Sequence, residues 1–198
     1  MSLTALPISP GPVALAWELI DFGSTQAGAL GGAAQRINRL GGRWRATITL
    51  PPMSPALARE WAATLARGLR TGVSWRIRQV STPTGAPGAV LVNGGSQAGN
   101  ALIVDGGTAG YVVKVGQWAS ILTGGQRYLY QLAATTTLSG TGTGTLQIEP
   151  ALRVQPADND PVELGAPVIE GLLVAPPGWS IDANRLVNGL TFTIEESR

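Results

Sequence analysis

The sequence contains no histidine and no cysteine, and its single lysine is Lys114. Without those side chains the chain cannot build a Ser-His-Asp or Cys-His nucleophile, nor a zinc site held by histidine or thiolate. No disulfide can form, so nothing points to an oxidising compartment. Charged residues are 13% of the 198, against a usual ~25%, while apolar residues reach 44%. Intrinsic disorder requires the opposite balance. No apolar run approaches the ~20 residues that cross a bilayer as a helix. The opening MSLTALPISPGPVALAWELIDF has no basic start and is interrupted by Pro7, Pro10 and Pro12, which argues against a signal peptide. The expectation is a soluble product of the cytosol with no membrane partner.

What is abundant is glycine, 27 residues, with 14 prolines. Both are poor in helix interiors, which disfavours a mostly helical protein. The remaining class is mainly β: a β-sandwich or partly open barrel of antiparallel hairpins, with one packed α-helix at about residues 54–70. Charge is uneven. Residues 1–100 carry nine arginines against three acids, and residues 101–198 carry five basic groups against nine acids, which together give the net +2. A basic half and an acidic half suit a protein that stacks on copies of itself or on neighbours of opposite sign.

Residues 1–12 read as an extended arm, free to be donated to a neighbour. Residues 13–198 read as a single β-rich domain, with 81–115 a candidate inserted subdomain. Val13–Phe22 is a first strand. Gly41-Gly42 is a two-residue turn signal between Ala33–Leu40 and Arg43–Leu50. In Arg43–Leu50, Trp44, Ala46, Ile48 and Leu50 alternate with arginines and threonines, placing one apolar and one polar face on a strand. Ser54 is an N-cap residue and Pro55 suits the first helical position. Leu57, Trp61, Leu65 and Leu69 form the apolar stripe of the helix, and Gly72 is its stop. Val73–Val80 is another alternating strand. Thr123–Gln126 turns a hairpin between Trp118–Leu122 and Arg127–Ala134. Thr135–Gly144 (TTTLSGTGTG) is a mobile tip of low complexity.

Candidate chemistry is sparse. Asp158-Asn159-Asp160 with Glu163 offers oxygen ligands, but a calcium loop needs glycine at its sixth position and glutamate at its twelfth, where Glu163 and Ile169 stand. Asx residues favour turns for local reasons, and a solvated turn is the reading. Lys114 lies in YVVKV, where a strand's solvent face accounts for it. No phosphate loop and no strand–GxGxxG–helix unit is present. Neither catalytic residue, metal nor cofactor is indicated, and the chain is read as a non-enzyme.

The candidate interface residues are Arg36, Arg39, Arg43, Arg45, Arg76 and Arg78, with Trp118 and Trp179. Nucleic-acid phosphates would also suit the arginines. However, the tryptophans alternate onto the opposite strand faces, and arginine without lysine matches protein interfaces. Sequence-specific nucleic-acid binding is therefore not expected. Trp44, Trp61 and Trp75 fit a shared core. Trp17, Trp118 and Trp179 are core or interface anchors, or the sugar platforms of a carbohydrate- or cell-surface-binding β-sandwich.

Two stretches carry a resemblance. Gln35–Arg78 has an arginine-bearing hairpin, a strand ending in Leu-Pro-Pro-Met, a Trp-bearing helix and a return strand. It resembles the N-terminal part of siphophage distal tail proteins. Gly116–Pro150 has GQWASI, RYLYQL and GTLQIEP, followed by ALRV. It is similar to phage tail-tip, baseplate hub and minor tail proteins, including those of gene-transfer-agent-like particles. The resemblance implies a β-sandwich with one packed helix, assembled as a ring, commonly a hexamer, that joins the tail tube to the tip. It implies copies of itself, the tail tube protein and tail hub or tip proteins as partners, and a place in the virion tail after assembly in the host cytoplasm. It carries no enzymatic residues.

Overall fold

The computed structural model describes residues 2–27, 31–80, 82–175, 177–182 and 186–197. Alternating apolar residues become strands wherever they can bury one face. The first are β1 (Thr4–Ala5), β2 (Ala14–Ile20), β3 (Ser24–Gln26), β4 (Gln35–Ile37) and β5 (Arg43–Thr49). Helix α1 (Pro55–Thr71) and β6 (Val73–Arg76) follow. Next come β7 (Gly88–Val92), β8 (Ala101–Gly107), β9 (Val112–Val113), β10 (Trp118–Thr123), β11 (Gln126–Leu132), β12 (Thr136–Thr137), β13 (Gly144–Glu149) and β14 (Val162–Glu163). The chain closes with β15 (Val168–Leu173), β16 (Gly178–Ile181) and β17 (Val187–Glu196).

The fold is mainly β with one helix among the described residues, and joins a sheet-and-helix body to a nearly closed barrel. The body is a seven-stranded sheet in the order β1-β6-β15-β17-β5-β2, with β16 on the side of β17. The barrel sheet runs β14-β10-β11-β13-β8-β7. Its ends approach each other through a bridge from Leu91 to Pro161 and a bond from the Val92 N–H to the Asp160 carbonyl at 2.9 Å. Every barrel strand lies between β6 and β15, which are themselves neighbours in the body sheet. The segment 81–115 supplies only β7, β8 and β9, and β8 pairs with β13 outside it.

Ser54 caps α1 by accepting from the Leu57 N–H, and Gly72 ends it with φ 76° while donating to the Gly68 carbonyl. A side chain at Gly72 would meet Leu3 at 2.8 Å and the Gly171 carbonyl at 3.1 Å, so glycine is required there twice over. Trp61 and Leu65 are fully buried, but the last stripe position is Gly68, and Leu69 is exposed. Steps of four residues advance 400° on a helix of 100° per residue, so a strict i+4 stripe drifts off the core. Trp61 and Leu65 lie in one core with Ile48, Trp75, Ile169, Phe192 and Ile194. A second core fills the barrel with Val92, Leu102, Val104, Ile121, Leu132, Leu146 and Ile148.

Three expectations are corrected. Gly41-Gly42 does not turn a hairpin between flanking strands. β5 pairs with β2, Ala14 opposite Thr49 through Ile20 opposite Arg43, and β3 pairs with β4, Ser24 opposite Ile37. Residues 21–23 therefore face residues 38–42, and the glycine pair sits in the two-residue excess, a bulge in one long ribbon. The N-terminal arm is extended but docked on its own body. β1 pairs parallel to β6, Leu6 is buried, and the Trp61 Nε1–H donates to the Ser9 carbonyl at 3.1 Å. Residues 135–144 are likewise tied down. β12 pairs with β9, Leu138 is buried in the barrel, and the Ser139 Oγ accepts from the N–H groups of Thr141 and Thr143.

Carboxylates couple the two units. β11 meets β13 only at Gln131 and Leu132, which leaves the N–H groups of Arg127 and Leu129 without a strand partner. Glu170 accepts from Arg127 at 2.9 Å and Glu196 from Leu129 at 2.8 Å. The other oxygen of Glu196 accepts from the Trp44 N–H at 2.7 Å, and Arg153 pairs with the same carboxylate. Burial pushes the Glu196 pKa up, against the pull of Arg153 and the two backbone donors.

Candidate functional site

The eight candidate residues do not converge on one surface. Arg43 and Arg45 stand on the face of β5 opposite Trp44 and Ala46, as their alternation requires. There they are held within the sheet. Both reach Glu195 at 2.7 Å, and Arg45 also reaches Glu18 at 2.9 Å. The Arg45 hydrogen bond lowers the Glu195 pKa; burial opposes this and Arg43 adds to it. Thr47 and Thr193, then Thr49 and Thr191, continue the same face with hydroxyl contacts of 3.0 and 3.2 Å. The result is an internally neutralised face.

Trp118 is buried and acts as an anchor between body and barrel. Its ring centroid lies 4.2 Å from Trp17 and 4.8 Å from Trp44, the latter edge-on. The partner rings lie 101 and 74 positions earlier in the chain, so no local signal separates this role from an exposed platform. Trp179, on β16, is 49% exposed. Arg78 donates to the Ile8 carbonyl at 3.2 Å and so helps to seat the arm. Arg76 is exposed and has no charged partner among the described residues.

Arg36 and Arg39 belong to the β3–β4 ribbon. Among the described residues this two-stranded sheet pairs with no other strand and is almost all exposed. Arg36 binds Asp21 and the Asn38 side chain, while Arg39 has no partner among the described residues. At the ribbon's base a cleft of about 310 Å³ is lined by Arg36, Arg39, Asn38, Asp21, Glu149 and Pro150. Phe22 and Leu40 flank the base, 44% and 73% exposed. An isolated two-stranded ribbon gains little stability in water.

The outer face of α1 is a further charged surface, and Arg67 and Arg70 there also suit the helix dipole. Arg59, Arg67 and Arg70 are all exposed there and form no ion pair among the described residues. Their spacing of i, i+8 and i+11 puts them within an ~80° arc, and that periodicity was the available signal.

The Asp158-Asn159-Asp160 segment is a turn. Asp160 accepts from the Ala157 N–H at 2.7 Å, Asp158 from the Gly94 N–H at 2.7 Å, and Asn159 adopts φ 66°. Among the described residues, no group of three or more Asp or Glu is arranged to hold a metal ion. No helix among them is long and apolar enough to cross a membrane. No protein-family model matches the chain, and no curated protein matches it.

Proposed function

We propose that this chain is a non-enzymatic structural subunit of a phage particle, a ring-forming component of the distal tail of a siphophage that joins the tail tube to the tip. The observation that carries the reading is the β3–β4 ribbon. It projects from the body between two strands of the main sheet, carries Arg39, which has no partner among the described residues, and is flanked by exposed Phe22 and Leu40. Such an element suits embrace of a neighbouring copy or of a tube subunit. The absence of histidine and cysteine supports a structural role, as do the two stretches that resemble tail proteins.

Carbohydrate binding by a β-sandwich is the second reading. It keeps the half-exposed Trp179 but loses Trp118, whose ring is packed between the two units.

The test is light scattering of the purified chain across concentration, alone and with a tail tube protein, with negative-stain images of the same samples. Closed rings, or rings seeded on tubes, are expected. A strict monomer under both conditions overturns the proposal.

A further inference from the structure

The unevenness of charge along the sequence becomes sharper in three dimensions, because the two units use their charges differently. In the barrel the two arginines are spent inside the molecule. Arg127 is bound to Glu163 and Glu170, and Arg153 to Glu196. The barrel's outer charge is therefore acidic, with Lys114 its one remaining cation. Asp105 stands opposite Leu91 on the outer wall, while the neighbouring pair of Val92 and Val104 faces the core. Leu91 also bridges to Pro161, beside Asp158 and Asp160. Two strand spacings, about 10 Å, thus gather three acids into one wall.

In the body the balance is reversed. Glu18, Asp21 and Glu195 are occupied by Arg45, Arg36 and Arg43. The helix keeps Arg59, Arg67 and Arg70 in solvent, with only Glu60 against them. Exposed Ala56, Ala63 and Ala66 lie among these arginines, so a partner surface can come close to the helix backbone while its acids meet the guanidinium groups. The stripe from Arg59 to Arg70 is about 16 Å long at 1.5 Å per residue, comparable with the acidic wall.

We propose that the arginine face of α1 is the docking surface for the acidic barrel wall of a second copy of this chain. The inference rests on the ring-subunit reading above and names its mating surfaces. The two patches lie on different units of one molecule, so the contact is heterologous. Repeated head to tail, it closes into a ring when the rotation permits. Complementary free charge favours a second copy, because each patch finds its opposite on the same chain.

The experiment uses the full chain and two variants, R67E/R70E on the helix and D105K/D158N on the barrel. The Asp158→Asn change keeps an oxygen for the Gly94 N–H. Circular dichroism and melting verify that each variant is folded. Light scattering then measures self-association at low and high salt. The wild-type chain is expected to associate at least about tenfold more weakly at high salt, because exposed charges are screened. Each variant alone should lose association to a similar degree, and their equimolar mixture should regain it. Wild-type association that neither variant weakens overturns this contact while leaving ring assembly standing. A wild-type chain that stays monomeric at low salt, alone and with tail tube protein, overturns both. A further overturning result is duplex DNA binding that R67E/R70E abolishes while self-association is unchanged.

Discussion

The backbone N–H of Leu129 donates to the side chain of Glu196, 67 positions further along the chain, at 2.8 Å. A carboxylate from the last strand of the body thus takes the place of a missing strand partner in the barrel. The Glu196 side chain is fully buried, and that of Arg153 is only 5% exposed. Glu196→Ala leaves the Arg153 guanidinium buried without its counter-charge and orphans the N–H groups of Trp44 and Leu129. The expected loss is about 3–5 kcal/mol, read from urea unfolding. The double variant E196A/R153M should recover part of that loss, because it removes the stranded charge. A single variant within 1 kcal/mol of the wild type would show that this junction contributes little.

Trp61 is buried at the centre of the helix–sheet core, 5.8 Å from the Phe192 ring, and its Nε1–H holds the Ser9 carbonyl. Trp61→Ala should cost about 3–5 kcal/mol in equilibrium unfolding. Because the indole also holds the arm, hydrogen exchange at Thr4 and Leu6 should accelerate in the same variant. A variant as stable as the wild type would mean that α1 is not packed as described.

Glu195 provides a pH test with a definite sign. Its folded-state pKa is lowered by Arg45 and Arg43, so its contribution is present above the unfolded value of 4.5 and is lost as pH falls through the lower folded value. The wild type should exceed E195Q by about 1 kcal/mol near neutrality, and the gap should close in acid. Glu196, shifted the other way by burial, is present in both proteins and cancels. A gap that is constant between pH 7 and pH 3 would count against the ion pairs of Glu195 with Arg43 and Arg45.

Ile20 and Arg43 are cross-strand partners, so residues 21–42 can be replaced by Asn-Gly, a two-residue hairpin turn. The melting temperature should change by no more than a few degrees, because the ribbon contributes little to either core. Assembly with copies or with tube subunits should be lost. Full assembly by the shortened chain would remove the ribbon from the proposed role.

Parts of this fold were legible because their signals are local. Ser54, Pro55 and Gly72 bracket α1, and the alternations of β5 and β6 assign their faces. What was hidden depends on distant pairing. The Gly41-Gly42 signal was genuine backbone chemistry, yet β5 finds β2 because that register joins Leu15 and Trp17 to Ile48 and Ala46 on the core face. The basic surface expected from Arg43 and Arg45 disappears once β17 brings Glu195 beside them. No pattern within residues 35–80 could announce that. For the same reason Trp118 could not be assigned: the rings that bury it arrive with β2 and β5.

The insertion of the barrel between adjacent strands has a consequence for the order of events in folding. β6 and β15 can pair only after residues 77–167 have been brought to a compact span, and an open loop of that length is costly to close. The barrel's hairpins, such as β10–β11, are local in sequence, and none of its pairings spans as much chain as that between β6 and β15. The barrel is therefore expected to fold first and to deliver the two halves of the body sheet to each other. Strand β17 then arrives with Glu196 to lock the units together, so the body is completed only once residues 187–196 have joined it.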